Sequence, residues 1–197
     1  MGSKREVEIK LSLPSAARGR WLLRQAGFRV TRRRVYEDNL VFDTSQGKLR
    51  SGSMLLRLRV AGSVATLTFK GTPAKGRYKS RFESETPVSD PDACREILHQ
   101  LGFRQVFRYE KYRTEYGGLD DCGVVALDET PIGVFLELEG PPAWIATTAR
   151  RLGFGIRSYI SESYIALHLS YRRSLGLPLR AMVFPHTPTR RRSDAPR

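Results

Sequence analysis

Glu6-Val7-Glu8-Ile9-Lys10 alternates charge with apolar bulk. On a β-strand, successive side chains point to opposite faces. Two carboxylates and an ammonium therefore share one face, while Val7, Ile9 and Leu11 share the other. The same two-residue step returns at Glu83 and Glu85 and again at Glu137 and Glu139.

Other stretches follow the same rule. In Leu56-Arg57-Leu58-Arg59-Val60 the arginines share one face. Thr66, Thr68 and Lys70 oppose Leu67 and Phe69, and Arg81, Glu83 and Glu85 oppose Phe82. Lys111, Arg113 and Glu115 oppose Tyr112, Thr114 and Tyr116, and Asp128 opposes Leu127. A single strand with a charged face normally turns it to water. Here about seven strands do so, with charges of both signs, and only about three helical stretches are available to cover the apolar faces. Closing the sheet resolves the conflict. Charges then line a lumen and apolar faces turn outward under helices. A barrel of about eight strands encloses room for one small ligand. The expected fold is α+β, an antiparallel β-barrel with a charged lumen and three or more helices packed outside.

Each Glu-x-Glu strand leads into a similar unit. Pro14-Ser15, Asp90-Pro91 and Pro141-Pro142 precede helical stretches, which end at Ala26-Gly27-Phe28, Leu101-Gly102-Phe103 and Leu152-Gly153-Phe154. Asp with a following Pro suits a helix start, and Gly suits a helix stop. Trp21, Leu22, Leu23, Ile97, Leu98 and Leu101 read as helix core packed on the barrel exterior.

The net charge of +14 points to an anionic partner. Residues 170–197 hold seven Arg and one Asp without apolar periodicity. Residues 173–197 therefore read as a basic, disordered tail, dispensable for catalysis, beside a folded domain over 1–172. Contact with nucleic acid is expected, if anywhere, only through this tail. No apolar run approaches a membrane span, and Cys94 and Cys122 lack the spacing of a metal or disulfide framework. The cytoplasm is the default location, and a homodimer is one reading of an open oligomeric state.

Arg is shaped for bidentate contact with phosphate oxygens, and Lys supplies point charges. Lys10, Arg57, Arg59, Lys70, Lys111 and Arg113 make a cationic half-lumen. Glu6, Glu8, Glu137 and Glu139, with Asp128, Glu83 and Glu85, make an anionic half. Carboxylates together with phosphate oxygens select a hard divalent cation, Mg²⁺ or Mn²⁺. Such a lumen suits phosphoryl transfer, where positioning and electrostatics carry most of the catalysis.

The ordered set of these stretches resembles the CYTH superfamily, also called triphosphate tunnel metalloenzymes. The resemblance spans roughly residues 4–169. It rests on Glu6-Val7-Glu8-Ile9-Lys10, Tyr36 through Phe42-Asp43-Thr44, Leu55-Leu56-Arg57-Leu58-Arg59, Thr66-Leu67-Thr68-Phe69-Lys70-Gly71, Arg81-Phe82-Glu83-Ser84-Glu85, Lys111-Tyr112-Arg113, Leu127-Asp128, Leu136-Glu137-Leu138-Glu139 and Ser163-Tyr164. It implies an eight-stranded tunnel that binds a triphosphate-containing small molecule. Glu6, Glu8, Glu137 and Glu139 would hold metal, joined by Glu83 or Glu85, with Asp128 as a metal or supporting carboxylate. Lys10, Arg57, Arg59, Lys70 and Arg113 would grip phosphates, with Arg81 and Lys111 as further contacts. Glu6, Glu8, Lys10 and Lys70 would carry catalysis. The family's basic residue near the last strand has no Lys in Ser161-Glu162-Ser163-Tyr164, and Arg157 is its nearest counterpart.

The expected activity is metal-dependent hydrolysis of inorganic tripolyphosphate, a nucleoside triphosphate or thiamine triphosphate. The alternatives are a class IV-type adenylate cyclase and a non-catalytic polyphosphate-binding module. Tyr36, Tyr78 and Lys79 are candidates for activating the nucleophile.

Overall fold

The computed structural model describes residues 4–74, 76–118 and 122–185. Eight strands run β1 (Lys4–Leu13), β2 (Arg29–Thr44), β3 (Leu55–Ala61), β4 (Val64–Lys70), β5 (Lys79–Val88), β6 (Phe103–Gly117), β7 (Val124–Thr130) and β8 (Gly133–Glu139). They close into a barrel in the order β1-β5-β4-β3-β2-β6-β7-β8, every neighbour antiparallel. Five helices lie outside it: α1 (Ala16–Gln25), α2 (Lys48–Ser51), α3 (Pro91–Gln100), α4 (Pro142–Arg151) and α5 (Tyr164–Ser174). The α+β barrel read from alternating charge is the fold observed.

The hydrophobic core lies between wall and helices, and the charges take the inside. Ile9, Leu11, Val125, Leu127, Leu136 and Leu138 turn outward and are buried with Leu23 of α1 and Ile145 and Ala149 of α4. A second cluster packs Phe42, Leu56 and Leu58 against Leu98 of α3. Burying one such side chain stabilises the fold by about 1.5–3 kcal/mol. The α1 helix approaches the wall so closely that a Cβ on Gly19 would meet the methyl groups of Leu127 and Leu13 at 2.7 and 2.8 Å.

The helix signals act as read. Ser15 accepts a hydrogen bond from the Arg18 amide, and Asp90 accepts from the amides of Asp92 and Ala93, with Pro91 in the first turn. Gly27, Gly102 and Gly153 each take a left-handed φ of 77°, 86° and 86° just past α1, α3 and α4. There they let the chain turn while its amides cap the last carbonyls.

Two expectations fail. Trp21, Ile97 and Leu101 are 42%, 60% and 69% exposed, because α1 and α3 bury narrower stripes than their apolar content suggests. Leu22, Leu23 and Leu98 of the same two helices are at least half-buried, so this failure is confined to the helices' outer residues, and helix α5 falls within the three or more helices expected. Residues 177–185 are not loose. Met182 is fully buried and hydrogen-bonds to Arg108 and Glu110, flanking Tyr109 of β6. The cause is a length mismatch. β6 has 15 residues and β7 only 7, so β7 covers β6 from Tyr112 to Gly117 and leaves an edge that the C-terminal segment occupies. The run Arg190-Arg191-Arg192 of the expected tail lies outside the described residues.

Candidate active site

The three Glu-x-Glu strands are β8, β1 and β5, which are neighbours in the closed barrel. Their carboxylates therefore form one wall of the lumen. Glu8 stands directly opposite Glu139, Lys10 opposite Glu137, and Glu6 opposite Arg81. Like charges directly opposite one another repel unless a cation lies between them. Arg57 and Arg59 of β3, Lys70 of β4, and Lys111 and Arg113 of β6 project from the rest of the wall. The cavity so enclosed measures 1880 Å³, and Phe42, Met54 and Tyr78 also line it. That exceeds the roughly 300–1,000 Å³ of an ordinary small-molecule pocket.

The lumen charges neutralise one another. Lys10 Nζ lies 3.2 Å from Glu8 and 3.1 Å from Glu137. Lys79 donates to Glu8 at 2.6 Å. Lys70 pairs with Glu6 and with Glu83, the latter at 3.1 Å, and Arg81 reaches Glu6 at 3.2 Å. Arg113 joins Glu137 to Asp128 at 2.6 Å each. Arg57 donates to Tyr109 and Thr68, and Thr68 donates on to Glu85. Lys10, Glu8 and Asp128 are 2%, 4% and 0% exposed. Ions buried this deeply without partners would cost several kcal/mol each.

This pairing sets the protonation states. Burial pushes the Glu8 carboxyl up, but Lys10 and Lys79 outweigh it and hold it well below the usual range. Burial likewise opposes Glu37, yet Lys111, Arg59, Arg113 and Arg57 bring it down to about 2. Burial dominates at Lys79, where Glu8 only partly offsets it, and the ammonium falls to about 8.

Most residues expected from the sequence meet in this lumen: Glu6, Glu8, Lys10, Arg57, Arg59, Lys70, Arg81, Glu83, Glu85, Lys111, Arg113, Glu137 and Glu139. Asp128 stands apart from the acidic wall. Its carboxylate accepts from Lys111, from both arms of Arg113 and from the Tyr164 hydroxyl. Arg157 is exposed on a short helical turn. Of the three candidate activators, Tyr36 stacks on Tyr112 on the barrel's outer face, whereas Tyr78 and Lys79 line the cavity.

The sequence reading assigns no role to Glu37 and Tyr109, both buried. Glu37 sits on the same strand face as Asn39, and the alternation was readable, but the preceding Arg32-Arg33-Arg34 and two register shifts in β2 obscure it.

The donor set suits a hard divalent cation, since Glu8 and Glu139 confront each other with Glu6 and Glu137 one step away. With the side chains turned to lysine and arginine, no three His, Cys, Asp or Glu groups converge on one point among the described residues. No helix there is long and apolar enough to cross a membrane.

The family model described as the CYTH domain matches residues 4–148. A presumptive adenylate cyclase of Methanocaldococcus jannaschii is 30% identical over 134 residues, which cover 68% of this chain and 75% of that protein. Among solved structures, a presumptive adenylate cyclase from Vibrio parahaemolyticus superposes with a TM-score of 0.73 at 18% identity, covering 85% of this chain and 98% of that one. A Hippeastrum protein first assigned as an adenylyl cyclase, and described as having a dominant triphosphatase activity, gives 0.63 at 22% identity, covering 88% and 97%. With the family model spanning most of the tunnel strands and this lumen behind it, the chain belongs to the CYTH domain family.

Proposed function

We propose that the tunnel binds a triphosphate together with Mg²⁺ or Mn²⁺ and hydrolyses its terminal phosphoanhydride. The observation that carries this reading is the division of one lumen into an acidic wall, β8-β1-β5, and a facing set of arginines and lysines. The cations are held by carboxylates, so a polyanion and a dication can take over the two halves of each ion pair. Charge is exchanged in this way without being created in a buried site.

Glu6, Glu8, Glu137 and Glu139 would hold the metal, with Glu83 and Glu85 toward the opening. The metal supplies charge neutralisation as the P–O bond lengthens. Lys10, Arg57, Arg59, Lys70, Arg81, Lys111 and Arg113 grip the phosphate oxygens. Of these, Lys10 and Lys70, each shared between two carboxylates, shift onto the phosphate as those carboxylates turn to metal. Asp128 orients Lys111 and Arg113. Lys79, which lines the cavity beside Glu8, would take a proton from the attacking water in its neutral amine form, to which burial brings it closer by lowering its ammonium to about 8. The Hippeastrum protein's triphosphatase activity supports hydrolysis.

The name of the 30% identical archaeal relative favours a second reading, adenylate cyclisation, in which the ribose hydroxyl replaces water. Phosphorus NMR of the protein with tripolyphosphate and with ATP, each with Mg²⁺ and Mn²⁺, separates the two. Orthophosphate is expected from tripolyphosphate. Pyrophosphate with cyclic AMP from ATP would replace the hydrolase by the cyclase, and no product from either would remove both.

A further inference from the structure

The lumen arginines do not orient themselves. Arg57 is held by a tyrosine hydroxyl directly and Arg113 through Asp128, and both tyrosines share a buried cluster with one residue of the C-terminal segment. Tyr109 of β6 accepts a hydrogen bond from Arg57 Nη1 at 3.1 Å. Tyr164, the first residue of α5, donates to Asp128 Oδ2 at 2.7 Å. Asp128 in turn fixes Arg113 with two hydrogen bonds and Lys111 with one. Lys10 and Lys111 lie 5.0 and 5.3 Å from the centroid of the Tyr164 ring. The two rings pack in one buried cluster with Val41, Phe135 and the fully buried Met182.

Helix α5 is tied down on both sides. Before it, Ile160 exchanges two backbone hydrogen bonds with Lys10 of β1, at 2.8 and 3.0 Å. After it, Met182 bonds to Arg108 and Glu110 of β6 at 3.0 and 2.9 Å, and the Phe184 amide donates to the Glu110 carboxylate. His168 on α5 contacts the Arg180 carbonyl at 2.9 Å. The segment is thus a strap across the lumen's end, anchored on the two strands that carry Lys10 and Lys111.

We propose that the strap of residues 159–184 is a positioning element of the triphosphate site, with Met182 holding Tyr109 and Tyr164 so that their hydroxyls fix Arg57, Lys111 and Arg113. This rests on the proposed function above. It gives the C-terminal segment a role in the site, where the composition of that segment suggested a dispensable tail. No residue of the strap needs to touch substrate. The two hydroxyls it holds pre-order cations whose freedom would otherwise be lost on binding.

The test is calorimetric titration of the full-length protein with tripolyphosphate and, separately, orthophosphate, in the presence of Mg²⁺. Tyr109→Phe and Tyr164→Phe each remove one hydroxyl and keep the ring. Each is expected to weaken tripolyphosphate binding about tenfold, the loss of one hydrogen bond to a charged group, with a smaller effect on orthophosphate. Met182→Ala should weaken tripolyphosphate at least as much as either, and Met182→Leu should restore it. Variants that bind tripolyphosphate like the wild type, with Met182→Ala lowering only the melting temperature, would overturn the proposal. If Met182→Ala does not fold, the two Tyr→Phe variants decide alone. A wild type that ignores tripolyphosphate would instead remove the function on which the proposal rests.

Discussion

Each lumen side chain has a defined exchange to make. Glu8 lies under Lys10 and Lys79 and opposite Glu139, so it is central to the acidic wall. Glu8→Gln keeps the shape and removes the charge. Metal-dependent turnover should fall by at least about a hundredfold, the range of an electrostatic catalytic group, while the melting curve shows a folded protein. Turnover within a few-fold of wild type would contradict the metal assignment. Arg59 pairs with Glu37 at 3.4 Å and lines the lumen. Arg59→Ala should therefore weaken tripolyphosphate far more than orthophosphate in the same titration. Equal losses would mean that the cradle does not span a triphosphate. Glu37 supplies a pH prediction. Its carboxyl titrates near 2 in the folded protein, against an ordinary 4.5. A depressed acid contributes stability that is complete above the unfolded value and disappears as pH falls toward the folded one. The contribution is on the order of 3 kcal/mol. Glu37→Gln should thus flatten the loss of stability between pH 4.5 and 2 in denaturant titrations, and an unchanged slope would show that other carboxylates set it.

Among the elements, the three helix stops carry the same cap. Gly102 and Gly153 both sit at φ +86° with open space where a Cβ would be. Gly102→Ala or Gly153→Ala should cost about 1 kcal/mol from backbone strain alone. Asn should cost less, and equal tolerance of Ala and Asn in thermal melts would contradict a left-handed cap. The repeated Glu-x-Glu, helix, Gly-Phe unit was legible because each part is local: alternation on a strand, an N-terminal cap, a left-handed stop. Placing the three acidic strands side by side was not legible, since strand order depends on which ends of the barrel meet. The C-terminal strap was unreadable for a related reason. Met182 stands among Pro and Arg residues with no periodicity, and its burial depends on an edge of β6 that exists only because β7 is short. Asp128 was visible as a lumen carboxylate, but its capture by Arg113, Lys111 and Tyr164 depends on three separate elements.

At the scale of the whole molecule, the charge balance inside and outside the barrel differs. In and beside the lumen, a set of eight cations, Lys10, Arg57, Arg59, Lys70, Lys79, Arg81, Lys111 and Arg113, faces a set of eight carboxylates, Glu6, Glu8, Glu37, Glu83, Glu85, Asp128, Glu137 and Glu139. The formal +14 of the chain therefore resides outside this set. An anion approaching the tunnel is attracted by the exterior field, but within this set inside the tunnel the cations are already offset by carboxylates. Affinity for a triphosphate then requires that a dication cover the acidic wall and release the lysines and arginines. Reciprocity follows, because each ligand strengthens the other by the same factor. The direct measurement is calorimetric titration of tripolyphosphate into the protein at rising Mg²⁺, with free Mg²⁺ kept above the level that saturates the tripolyphosphate. One triphosphate should bind per chain, its affinity should climb steeply with Mg²⁺, and Glu8→Gln with Glu137→Gln should flatten the climb. An affinity equal with and without Mg²⁺, in the wild type and the double variant alike, would contradict a site in which metal and triphosphate divide the ion pairs between them.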